Sequence, residues 1–166
     1  KKSRRGNTEI DKTVIEVLKN SGTKYRVIDF FPYGSDERQF CSPGFNLPFG
    51  SLMRTRYGKY PEYHTSADNL EFVKKEHLAE SFSMYLSIIT ILEQDNHQPQ
   101  TQNRSQSQTQ NNQFLQHPTY LNLNPKCEPQ LGRRGIYHKI GGVKKQDMFK
   151  LAVFWILNQS DGYNSL

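Results

Sequence analysis

Residues 94–116 read QDNHQPQTQNRSQSQTQNNQFLQ, and 13 of these 23 are Gln or Asn. A tract this polar cannot bury enough apolar surface to offset the entropy of ordering it, so it reads as a disordered surface insertion. It divides the 166-residue chain into 1–93 and 117–166. It also accounts for the low apolar content of 34%. Outside it the composition is that of an ordinary globular protein rich in aromatic residues.

No apolar run approaches the ~20 residues needed to cross a bilayer, so a membrane partner is not expected. No charged-then-apolar leader is visible, and a cytoplasmic location is expected. The only cysteines, Cys41 and Cys127, exclude a disulfide scaffold and a cysteine-based zinc finger. A net charge of +6 permits acidic or nucleic-acid partners without requiring them.

Residues 1–22 predict a helix. Asn7 or Thr8 can cap it, Glu9 and Asp11 sit in its first turn, and Ile10, Val14, Val17 and Leu18 form one apolar stripe. Gly22 can end it. Residues 25–31, YRVIDFF, predict a strand running into a turn at Pro32 and Gly34. A loop to about residue 47, a second strand over 50–55 and a loop over 57–69 follow. A helix is expected over about 75–93, with Leu78, Phe82, Tyr85, Leu86, Ile89 and Leu92 on one face. This order predicts an α/β fold with parallel strands, whose ligands bind where loops leave the carboxyl ends of the strands. Beyond the tract, Tyr120–Leu123 alternates as a short strand. Asp147 can cap a last helix over 148–159, which ends at Ser160-Asp161-Gly162.

The chemistry-bearing residues each have a plain reading and a functional one. His64, in EYHTSAD, is as a lone histidine a surface or hydrogen-bonded loop residue; imidazole is also the commonest zinc ligand. His77, His97, His117 and His138 show no ligand spacing. Ser35-Asp36-Glu37-Arg38 is a solvated turn with an internal ion pair, or a pair of carboxylates able to hold a metal, a base or a substrate amine. Arg54 and Arg56 are a solvated strand end, or a guanidinium suited to a carboxylate or phosphate. Cys41 reads as a structural thiol, since nothing around it resembles a cysteine-protease signature. The basic segment 133–145 has only Tyr137 interleaved and is weak evidence for a nucleic-acid surface.

The stretches GSDERQFCSPGFNLP, GSLMRTRYGKYPEYHTSADN and YLNLNPKCEPQLGRRGIY together resemble a bacterial family of aminopeptidase-like proteins. Members of that family join a double-zinc aminopeptidase-type domain to a C-terminal winged helix, and they often accompany polysaccharide-biosynthesis genes. The resemblance implies an α/β fold, part of a three-layer (αβα) zinc-exopeptidase-like domain. It implies that 1–93 is the C-terminal half of that domain, 117–145 its end, and 146–166 the truncated start of the winged helix. On this reading the chain is a C-terminal fragment.

By the same resemblance His64-Thr65 matches the His-Thr motif whose histidine binds zinc, and Ser35-Asp36 matches a pair near the substrate. Glu37 stands where many relatives have His. Arg54 matches, loosely, arginines that hold a substrate carboxylate in carboxypeptidase relatives. Tyr63 flanks the ligand, and Asp68 is the candidate acceptor for its second nitrogen. The other ligands and the base, one or two zinc ions in all, are expected upstream, so no catalytic residue is expected in this chain.

The implied activity is metal-assisted hydrolysis of a peptide or amide substrate. Zinc would polarise the carbonyl and lower the pKa of a bridging water, and a carboxylate would shuttle the proton. The alternatives are a non-catalytic regulatory or assembly protein that binds DNA or protein through its winged helix, and hydrolysis of an amide on a sugar or lipid precursor.

Overall fold

In the computed structural model, residues 1–96, 119–137 and 147–165 are described. The insertion is expected from residue 94, yet residues 94–96 are helical; its remainder, 97–116, together with His117 and residues 138–146, lies outside the described residues, His97 and His138 included. The elements are α1 (Glu9–Asn20), α2 (Ser35–Phe40), α3 (Lys75–Asn96), β1 (Thr119–Leu121), α4 (Met148–Gln159) and β2 (Asp161–Ser165).

Helix α1 forms where its local signals place it. Its buried Asp11 accepts from the backbone N–H and hydroxyl of Thr8 at 2.9 and 2.6 Å. Asp11 also accepts from the N–H and hydroxyl of Ser3 at 2.7 and 2.6 Å, which pins the chain start to the helix. Burial raises the Asp11 carboxyl, but the bonds from Ser3 and Thr8 outweigh it and hold the group below the ordinary carboxylate range. Helix α4 starts at Asp147, whose carboxylate accepts from the N–H groups of Phe149 and Lys150.

The strands differ from expectation. Residues 25–31 and 50–55 form no strand, and the chain bends at 54–55. Between them runs Lys1–Lys2. Lys2 N donates to Ile28 O at 2.9 Å, and Ser51 N donates to Lys1 O at 2.9 Å. Each segment therefore spends a backbone bond on this short stretch and none on the other segment, and two residues cannot propagate a sheet. Among the described residues the sheet is β1–β2, antiparallel, with Thr119 opposite Ser165 and Leu121 opposite Asp161. Strand β2 replaces the expected turn after α4.

Helix α1 packs on α3, with Val17 and Ile88 buried. The expected apolar face of α3 is not the buried one. Leu78, Phe82, Leu86 and Ile89 are exposed, Phe82 by 68%. Among the described residues of α3 Ile88 is the buried one. Cys41, Leu131, Leu151 and Phe154 complete the buried apolar set among the described residues. No helix among them is long and apolar enough to cross a membrane.

Candidate functional site

The Ser35-Asp36-Glu37-Arg38 stretch, expected in a loop, forms the helical turn α2. Gly34 makes the turn possible. Its φ is +120°, and a Cβ there would lie 2.2 Å from Glu37 Oε2 and 2.7 Å from the Tyr57 hydroxyl. Within one turn the sequence sends three charged side chains different ways. Asp36 is exposed, while Glu37 and Arg38 are buried.

Glu37 Oε1 lies 2.8 Å from Lys1 Nζ, and the side chains are 8% and 2% exposed. The Ser51 hydroxyl donates to the same oxygen, and the Tyr57 hydroxyl lies 3.5 Å from it. Lys1 Nζ is also within reach of Phe31 O, Tyr33 O and the Tyr57 hydroxyl at 3.0–3.2 Å. Burial raises the Glu37 carboxyl, yet the bonds from Lys1 and Ser51 overcome this and leave it lowered. Burial lowers the Lys1 ammonium by more than Glu37 restores. Burial, with the Glu37 charge adding to it, pushes the Tyr57 hydroxyl up to about 12. The Glu37 carboxylate is thus committed to holding the chain start, the 50–53 segment and the turn together.

From Tyr57 a run of aromatic rings leads to His64. Tyr57 and Tyr63 are 6.5 Å apart between centroids, Tyr60 and Tyr63 5.6 Å, and Tyr63 and His64 4.0 Å in a stacked pair. His64 has φ +58°, a left-handed conformation that non-glycine residues adopt sparingly and that clusters at binding and catalytic sites. Thr65 sustains the bend, its hydroxyl donating to Glu62 O at 2.7 Å and accepting from Ala67 N at 3.2 Å. The exposed imidazole is therefore aimed by its backbone and by a ring stack. No hydrogen bond joins it to Asp68, which is exposed.

Arg54 pairs with Glu80 of α3 at 2.7 Å and donates to His77 O at 3.3 Å. Both partners of this pair are about half exposed, a setting in which ion pairs contribute little. A broad open concavity of about 2060 Å³ has Asp36, Glu37, Ser51, Arg54, Tyr57 and Tyr63 on its wall. The Cys41 thiol is buried, and its Sγ donates toward Phe49 O at 3.3 Å. Burial pushes its pKa up, the opposite of what a nucleophile needs.

Lys1, Ser51 and Tyr57 escape the sequence reading. Lys1 is 36 positions from Glu37, and no local pattern links them. The aromatic density of YGKYPEY is the one signal that could have pointed to the ring run. Among the described residues no three of His, Cys, Asp or Glu converge closely enough to hold a metal ion. A catalytic zinc takes three protein ligands and an open position. The described residues therefore do not make a zinc centre by themselves.

Residues 1–95 match a family described as a domain of unknown function (DUF4910). Residues 118–166 match a winged helix-turn-helix family. A Clostridium acetobutylicum protein is 52% identical over all 166 residues. It is provisionally named a polysaccharide biosynthesis protein with an aminopeptidase-like domain. A crystal structure from Clostridium acetobutylicum, provisionally described as a peptidase, is similar with a TM-score of 0.54 and 46% identity over 99% of this chain. The chain spans 33% of the first relative and 30% of the second.

Proposed function

The chain belongs to the DUF4910 family, and on that premise we propose that it forms part of a zinc-dependent, aminopeptidase-like hydrolase acting on a peptide or amide bond. His64 supplies one metal ligand, and the exposed Asp36, on the wall of the concavity that His64 itself does not line, contacts substrate. The observation that carries the reading is the His64 geometry. An exposed imidazole is held in a left-handed backbone and stacked on Tyr63, an expense of strain that an idle surface histidine does not require. The relatives' names support an aminopeptidase-like domain and a link to polysaccharide biosynthesis. In the three-layer arrangement the resemblance implies, the other ligands and the proton-shuttling carboxylate come from outside the described residues. One or two zinc ions would serve there to polarise the scissile carbonyl. Within this chain, the Lys1–Glu37 pair fixes the turn that carries Asp36, and Arg54 stands on the concavity wall, where a substrate carboxylate could displace Glu80.

The test is hydrolysis of a panel of aminoacyl 4-nitroanilides by the full-length protein. Activity that a chelator abolishes and zinc restores, and that Asp36→Asn weakens, supports the reading. No hydrolysis of any panel member by zinc-loaded protein goes against it.

A second reading, a non-catalytic regulatory or assembly protein, is favoured by one observation. Glu37, which stands at a position where many resembling proteins have His, is buried against Lys1 and not turned to open space. On that reading the winged helix-turn-helix segment binds DNA or protein, and the zinc-loaded protein is inert toward the panel but retards duplex DNA in a gel.

A further inference from the structure

Arg38 follows Asp36 and Glu37 in the same helical turn and is 8% exposed. Its guanidinium is used on every side. Nε lies 3.1 Å from Glu128 Oε2, Nη2 donates to the Tyr137 hydroxyl at 3.0 Å, and Nη1 donates to Pro32 O at 3.4 Å. Its flat face lies 3.9 Å from the centroid of the Phe154 ring. The Tyr137 hydroxyl in turn donates to Glu128 Oε1. Phe154 is a buried residue of α4, in the segment that matches the winged helix-turn-helix family. A planar cation stacked on a ring, and paired bidentately with a carboxylate-and-phenol edge, is a use that only arginine serves.

The contact is not isolated. Trp155 stands edge-on to Phe30 and Phe31 at 6.2 and 6.1 Å. Arg4 Nη1 pairs with Asp161 at 3.0 Å and donates to Asn158 O at 2.8 Å. The 125–128 segment is tied to α2 as well. Gln39 Oε1 accepts from Glu128 N at 2.9 Å, and the Ser42 hydroxyl accepts from Cys127 N at 2.9 Å. Helix α2 has only six residues, so besides the Gln39 bond and the stacking of Phe40 on Phe49 at 4.8 Å its position is set by what Arg38 and Glu37 grip at its two sides.

We propose that Arg38 is the positioning residue through which the docking of α4 fixes the Asp36–Glu37 turn, so that the winged-helix segment completes the candidate site and is not an independent module. The inference rests on the reading of Asp36 as a site residue, but its test does not depend on hydrolysis. In the full-length protein, Phe154→Leu keeps an apolar side chain under Arg38 and removes the ring face. Hydrogen exchange at the Arg38, Cys41 and Glu128 amides is the first readout. It should speed up about 2- to 30-fold, the range a lost cation–π contact allows, while exchange along α1 stays unchanged. Phe154→Tyr, which keeps the ring face, should restore protection at α2. The second readout is on the nitroanilide panel, where Phe154→Leu should lower kcat more than it changes KM. Exchange at α2 unchanged in a folded Phe154→Leu protein overturns the proposal. So does an equal rise along α1, which marks general destabilisation. Faster α2 exchange in a protein inert toward every nitroanilide upholds the coupling and counts against the hydrolase reading alone.

Discussion

The Lys1 ammonium sits 2.8 Å from the Glu37 carboxylate with both side chains almost sealed from water. A pair buried this deeply gains little net stability over an apolar pair of the same shape, because both charges lose their hydration. Breaking one half is another matter. Glu37→Gln leaves an ammonium buried without its counter-charge and should cost about 3–5 kcal/mol. The double variant Lys1→Met with Glu37→Gln should cost markedly less than the sum of the two single changes. Urea unfolding of the four proteins measures this, and additive losses would show that the two groups do not act as a pair.

The same pair sets a pH dependence. The Glu37 carboxyl is lowered in the fold: burial acts to raise it, and the bonds from Lys1 and Ser51 prevail. A carboxyl lowered on folding contributes stability above its unfolded pKa, and that contribution is lost as pH falls through the folded value. Lys1 is also lowered on folding, burial being the main cause, so its contribution rises with pH just below the ordinary lysine range. Unfolding midpoints should therefore fall steeply below about pH 4.3, and Glu37→Gln should flatten that acid limb. An acid limb of unchanged slope in the variant would place the acid sensitivity elsewhere.

Asp11 gives the second acid-sensitive contribution. It accepts four hydrogen bonds, two from Ser3 and two from Thr8, and its carboxyl is lowered although burial works against this. Asp11→Ala removes the cap and the anchor of the chain start together. Caps are worth about 0.5–2 kcal/mol, and bonds to a charged acceptor about 1.5–3. We expect a loss of about 2 kcal/mol or more at pH 7, narrowing at pH 3, below the ordinary carboxylate value, where the unfolded chain's carboxyl takes up its proton first. Thermal unfolding followed by circular dichroism at the two pH values checks this, and a pH-independent difference would argue that the charge is not what matters.

Gly34→Ala should be among the most damaging small changes in the chain. Its methyl would meet the Glu37 carboxylate and the Tyr57 hydroxyl well inside van der Waals contact, at a φ of +120°. The backbone strain alone is of order 1–3 kcal/mol. The expected outcome is a lowered unfolding midpoint together with loss of the Tyr57–Glu37 approach, seen as a Tyr57 titration moving back down from about 12. An unshifted midpoint would mean that the turn can open without cost.

What could be read in advance was local. Helices α1 and α4 carry their own caps, at Thr8 with Asp11 and at Asp147, and form where those residues place them. The EYHTSAD and SDER stretches stood out by residue type, but the helical turn that SDER forms did not. What escaped was set by partners distant in sequence. Residues 25–31 have the composition of a strand, but their backbone bonds go to Lys2 and to the turn at Tyr33, and they form no ladder. DGYNS has no strand propensity and becomes β2 because Thr119–Leu121 lies opposite it. Periodicity places Leu78, Phe82, Leu86 and Ile89 of α3 on one apolar stripe, but they stay exposed while Ile88, outside that stripe, is buried. The roles of Lys1 and Arg38 depend on contacts 36 and 116 positions away, with Glu37 and Phe154.

The central claim is that His64 is a metal ligand, and zinc content tests it most directly. The full-length protein and its His64→Ala variant are dialysed side by side, their zinc is measured by mass spectrometry, and circular dichroism confirms that both are folded. Removing an exposed loop side chain should leave the fold intact. Zinc should fall steeply in the variant, and Asp68→Asn, whose carboxylate makes no bond to the imidazole, should keep the wild-type content. A His64→Ala protein that retains the wild-type zinc content contradicts the assignment.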